Sequence, residues 1–145
     1  MSRVENFLSE EEEQEIVQAI LKAERNTSGE IRVHIESHTR LSHFDRAKEV
    51  FHLLKMDNTK DDNGVLIYVA VNDRQFVIYG DKGIDRVTPN NFWESTRDTI
   101  QNQFKKADYK QGIIDGILAA GKELETHFPW NHDDINELSN EVSKG

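Results

Sequence analysis

The sequence predicts an α/β protein: a three-layer α/β/α sandwich with a small mixed sheet and helices on both faces. Three observations predict it. Residues 65–71 are apolar without interruption, as expected of a strand covered on both sides. Residues 30–37 alternate, with Ile31, Val33 and Ile35 on one face against Arg32, His34 and Glu36 on the other. Around these strands, apolar residues recur at helical spacing, giving the order helix, strand, helix, strand, strand, helix, helix.

Each element has its own signal. Ser9-Glu10-Glu11-Glu12 has the spacing of a capping box, and acidic residues in a first turn suit the helix dipole. Ile16, Val17, Ile20, Leu21 and Ala23 extend that helix over about residues 10–25, and Asn26-Thr27-Ser28-Gly29 ends it. The half-buried strand 30–37 follows. Ser42 caps the next helix, whose stripe is Phe44, Ala47, Val50, Phe51 and Leu54. A polar loop over 57–64 leads into the apolar strand, Asn72-Asp73-Arg74 turns the chain, and 75–79 reads as a strand folded back. Gly80-Asp81-Lys82-Gly83 closes it as a turn. Thr88-Pro89 predicts a helix start, with Phe92, Thr96, Ile100 and Phe104 four residues apart. A last helix after Asp108-Tyr109 carries Ile113, Ile117, Ala120 and Leu124 and ends near Phe128-Pro129. Residues 1–130 thus read as one domain. Residues 131–145 read as an acidic, flexible tail.

Composition removes several function classes. A charge of −9 disfavours nucleic acid and anionic membrane surfaces, and is compatible with cations, basic partners or plain solubility. The longest apolar run is far short of the ~20 residues that span a bilayer, and the amino end lacks a signal-peptide core. A cytoplasmic location is the expectation. With no cysteine, disulfides, thiolate metal sites and thiol nucleophiles are excluded. The six histidines show no HExxH spacing; His34 is expected to be solvated, and His127 and His132, flanking a helix end, to have no catalytic role. No GxSxG elbow, P-loop or dinucleotide fingerprint is present.

Chain direction brings a candidate site together. Two strands joined through a helix should be parallel with a right-handed crossover, and the third, after a tight turn, antiparallel. Ser28-Gly29-Glu30, Asp61-Asp62-Asn63-Gly64 and Gly80-Asp81-Lys82-Gly83 then share one end of the sheet. Clustered carboxylate and amide oxygens suit Ca2+, or Mg2+, and an ion would relieve repulsion among Glu30, Asp62 and Asp81. The expected metal ligands are Glu30, Asp61, Asp62, Asn63 and Asp81, with the inward member of the Asp61/Asp62 pair left open. The alternative is that Asp and Asn simply populate turns. The loop is not an EF-hand: with Gly64 at the loop glycine, Ala70 falls where a bidentate Glu is needed.

Ser28-Gly29-Glu30-Ile31-Arg32-Val33, Asp62-Asn63-Gly64-Val65-Leu66-Ile67, Asp73-Arg74 with Gly80-Asp81-Lys82-Gly83-Ile84, and the later Phe104, Asp108-Tyr109 and Gly116 pattern resemble the TPM domain. The resemblance covers about residues 9–128. The family takes its name from a thylakoid lumen protein, a photosystem II repair protein and a nematode receptor modulator. The resemblance implies an α/β/α sandwich with an acidic pocket at Asp62, Asn63 and Asp81, and Glu30 nearby. Some plant members are described as acid phosphatases and calcium binders, and many bacterial members have no established activity. Three functions follow as expectations: a Ca2+-binding interaction module, a metal-assisted phosphatase, or a scaffold for a membrane-associated protein complex without chemistry. For the phosphatase, Lys82 is the nearest cation, Arg74 lies at the opposite strand end, and no nucleophile is evident.

Overall fold

The computed structural model describes residues 7–89, 91–130 and 141–145. Its elements are α1 (Glu10–Glu24), β1 (Glu30–Glu36), α2 (His43–Leu53), β2 (Gly64–Ala70), β3 (Gln75–Gly80), α3 (Lys82–Asp85), α4 (Glu94–Lys105), α5 (Tyr109–His127) and β4 (Ser143–Lys144). The strands form one mixed sheet in the order β3-β2-β1-β4. β1 and β2 are parallel, with Glu30 opposite Gly64 and Glu36 opposite Ala70. β3 runs antiparallel to β2, with Gly80 opposite Val65. The α/β/α reading of the sequence therefore stands, including strand direction.

Period-two alternation explains the layers. Ile31, Val33, Ile35, Val65, Ile67, Val69 and Ile78 point to one face, where they meet Ile16 and Ile20 of α1, Ile100 of α4, and Ile113, Ile117 and Leu124 of α5. Leu66, Tyr68 and Ala70 point to the other and meet Ala47, Val50, Phe51 and Met56 on and after α2. β2 is buried along its whole length because both faces are covered. At the start of α1 the capping box forms as expected: Glu12 N–H donates to Ser9 Oγ at 3.1 Å, and Ser9 N–H to Glu12 Oε1 at 2.9 Å. No helix among the described residues is long and apolar enough to cross a membrane.

Four expectations about the elements and the tail need correction. The segment after β3 is not a plain turn: Asp81 caps the one-turn helix α3. The helix expected from Pro89 begins at Glu94, because two successive turns come first. In them Phe92 N–H bonds Pro89 C=O and Glu94 N–H bonds Asn91 C=O, each at 3.1 Å, while Phe92 and Trp93 pack onto the core. Phe44, placed on the apolar stripe of α2, is 57% exposed, its ring lying 5.5 Å from that of Tyr79. Finally, the tail is not free at 143–145. Ser143 and Lys144 pair parallel with His34 and Ile35, and Gly145 N–H bonds Ile35 C=O at 3.0 Å. Residues 131–140 and His132 lie outside the described residues.

Candidate metal centre

The three segments expected to converge do so. Glu30 N–H bonds Asn63 C=O at 3.4 Å, and Asp81 N–H bonds Gly64 C=O at 2.9 Å, stitching β1, the 57–63 loop and β3 side by side. Asp62 has a left-handed backbone (φ 50°), which Asp tolerates better than most residues. That twist separates its fate from that of Asp61. Asp61 is exposed and accepts from Ser28 Oγ at 3.5 Å, while Asn63, buried, donates from Nδ2 to the same Ser28 Oγ at 3.1 Å. Asp62 turns the other way, toward α3, where its Oδ2 lies 3.9 Å from Lys82 Nζ and 4.0 Å from Arg86 Nη1.

Asp81 is the focus of this end. Its side chain is buried, and Oδ1 accepts from Lys82 N–H at 2.7 Å. Oδ2 is also buried and has no hydrogen-bond partner among the described residues. Burial raises the Asp81 pKa above its ordinary value; the Lys82 N–H opposes that, and the Asp62 charge adds to it. A buried carboxylate oxygen with no donor is costly, and a cation would remove the cost. Gly83 holds the geometry. Its N–H bonds Asp62 C=O at 2.8 Å, and a Cβ there would lie 2.3 Å from Asp61 O and 2.4 Å from Asp62 O.

Glu30 is buried at the same end, but its carboxyl is engaged with a partner that residue spacing does not reveal. Glu24, in the last turn of α1, hydrogen-bonds Glu30 and accepts from Ile31 N–H at 2.7 Å. Burial pushes Glu24 up to about 8; the Ile31 N–H opposes this, and the charge of Glu30 reinforces it. Near neutral pH this pair therefore holds a proton between two carboxyls. Because the folded value lies above the ordinary 4.5, the associated stability is complete below pH 4.5 and is lost as pH rises through about 8. Glu24→Gln keeps an acceptor for Ile31 and a donor for Glu30 without the titration. Urea midpoints of the parent should fall between pH 5 and 8, and those of the variant should fall less. Equal slopes would show that the pair does not share a proton.

The opposite end of the sheet carries a second polar network. His34, expected in solvent, is buried, with Nδ1 3.0 Å from Ser143 Oγ and Nε2 3.0 Å from Glu36 Oε1. Ser143 of β4 and Glu36 close on its two ring nitrogens, and the Tyr68 ring stacks beside it at 6.0 Å. Glu36 also accepts from Arg46 Nε at 2.9 Å, from Arg46 Nη2 at 2.8 Å, and from the Tyr68 hydroxyl. Burial alone would raise Glu36, but the bonds from Arg46, Tyr68 and His34 outweigh it and hold it down to about 2. Among the described residues, no three His, Asp or Glu side chains stand ready to hold an ion.

A family model described as the TPM domain matches residues 2–123. The fold is similar to the NMR structure of the BA42 protein from the psychrophilic bacterium Bizionia argentinensis, at 61% identity and TM-score 0.93 over 100% of both chains. It is also similar to the N-terminal domain of a P. gingivalis protein, at 21% identity and TM-score 0.68, covering 84% of this chain and 79% of that one. A third similar structure is the N-terminal domain of the cg2496 protein from Corynebacterium glutamicum, at 12% identity and TM-score 0.67, covering 83% and 76%. At such identities the last two share the fold alone. No curated protein matches the chain.

Proposed function

This chain belongs to the TPM domain family, and from that premise we propose that it is a divalent-cation-binding module, with Ca2+ the favoured ion. The observation that carries the reading is the buried Oδ2 of Asp81, without a hydrogen-bond partner among the described residues, with the Asp62 carboxylate near enough to raise the Asp81 pKa. Asp81 and Asp62 supply the charge. Asp61, Asn63 and Glu30 join only by exchanging their bonds to Ser28 and Glu24 for the ion. A loop-built set of mixed oxygens suits Ca2+, which accepts ~6–8 ligands in flexible geometry, better than Mg2+, which demands an octahedron.

One observation favours metal-assisted phosphoryl chemistry as a second reading. Arg86 joins Lys82 beside Asp62, and both side chains are 66% exposed, so they are accessible to phosphate oxygens next to the ion.

One experiment addresses both readings. Ca2+ is titrated while backbone amide shifts and the Trp93 indole signal are recorded. Trp93 is a useful reporter because its Nε1 would lie 3.2 Å from a Cβ at Gly80. Shifts should concentrate in 28–30, 61–64 and 80–83 and vanish in Asp81→Asn. At a hundredfold excess over the dissociation constant, the ion should stabilise the fold by ~2.7 kcal/mol. Absence of shifts at millimolar Ca2+, or their survival in Asp81→Asn, rejects the site. An aryl phosphate added to the same samples should be hydrolysed only if the second reading holds, and hydrolysis unchanged in Asp81→Asn marks a contaminant.

A further inference from the structure

The geometry points to a second metal site, for a transition ion such as Zn2+, formed by His38, His43 and Asp73 at the end of the sheet opposite Asp81. His38 lies in the connection after β1, His43 opens α2, and Asp73 lies in the turn between β2 and β3. β1 and β2 are parallel, so these segments emerge at their carboxyl ends, where open α/β sheets build ligand sites.

Both histidines address one carboxylate through different oxygens. His43 Nε2 is 3.0 Å from Asp73 Oδ2, and His38 Nδ1 is 3.9 Å from Asp73 Oδ1. Ligand atoms held about 2.0–2.2 Å from a tetrahedral ion lie about 3.4 Å from one another. The two observed separations bracket that spacing. Thr39 N–H donates to Asp73 Oδ2 at 3.2 Å and orients the carboxylate from outside the ligand set.

As the side chains stand, the trio is not closed on an ion. Closing it requires His38 to turn toward Asp73, and that side chain is 54% exposed, so little packing opposes the rotation. Two imidazole nitrogens with one carboxylate favour Zn2+ over Ca2+ or Mg2+, which prefer oxygen-only sets. Three protein ligands leave the fourth position to water.

A structural tie between a turn and a helix start explains the bond between His43 and Asp73, but not a second histidine on the same carboxylate. His52 and Asp57, 2.9 Å apart and both about half exposed, place a single histidine on a carboxylate and serve as the control.

The test uses the full chain after chelator treatment, titrated with Zn2+ under calorimetry and histidine-ring NMR. One equivalent should bind and shift the His38 and His43 ring nitrogens. Affinity should fall ~10-fold or more in His38→Ala and in Asp73→Asn, since even outer-shell losses cost ~10–100-fold. His38 is exposed and Asn retains an acceptor for Thr39, so both variants should fold. His52→Ala and Asp81→Asn should bind as the parent does, which also separates this site from the Ca2+ reading. Unmoved His38 and His43 rings, equal affinity in His38→Ala and Asp73→Asn, or an equal loss in His52→Ala would each overturn the assignment.

Discussion

Arg46→Leu is expected to lower stability by about 3–5 kcal/mol, because it leaves a buried carboxylate without its compensating charge. Glu36 sits beneath α2 with a side chain only 6% exposed, and Arg46 contributes two of its hydrogen bonds. Tyr68 and His34 remain in the variant, but neither supplies a permanent positive charge. Adding Glu36→Gln should recover much of the loss, since an unpaired buried charge costs more than an absent pair. The acid limb should change as well. Glu36 is held at about 2 against an ordinary 4.5, so its contribution is present above pH 4.5 and is lost as pH falls toward 2. Without Arg46 that loss moves to higher pH. Denaturant melts at pH 7 and across the acid range measure both effects. A loss under about 1 kcal/mol would mean that the pair behaves like an exposed one.

Gly83→Ala is expected to disrupt the Asp62–Asp81 junction, at a cost of at least the ~1–3 kcal/mol typical of overpacking. The obstruction is backbone, at 2.3 and 2.4 Å from the added carbon, so no side chain can rotate away. Gly112→Ala is the informative comparison. There the nearest atom belongs to the Phe104 ring, at 2.7 Å, which can shift. The Gly83 variant should therefore melt lower than the Gly112 variant. It should also lose Ca2+-dependent amide shifts at 61–64, because α3 and the Asp62 carbonyl can no longer meet. Parental melting and parental shifts in Gly83→Ala would show that the close approach is not required.

The parts of this fold legible in the sequence were those governed by period and chain direction. The apolar run at 65–71 announced β2, and the helix between β1 and β2 fixed them as parallel. With the tight turn that sets β3 antiparallel, Glu30, Asp62 and Asp81 could be brought to one end. What remained hidden depended on tertiary partners. Glu24 ends an amphipathic helix and reads as a surface residue, yet it folds back onto Glu30. His34 and Glu36 lie on the polar side of an alternating strand, and the fold partners them there with Ser143 of β4, Arg46 of α2 and Tyr68 of β2. β4 is too short for any periodic signal and sits within an acidic segment. Arg86 reached Asp62 because residues 82–85 coil into a helical turn rather than a loop.

β2, buried from Gly64 to Ala70, also acts as a fixed spacer. Seven strand residues at ~3.3 Å each hold its two ends roughly 20 Å apart. That is more than twice the ~8 Å over which charges feel one another in physiological salt. Ions at the Asp81 end and the Asp73 end would therefore load independently, and a paramagnetic ion at one end would serve as a distance ruler to the other.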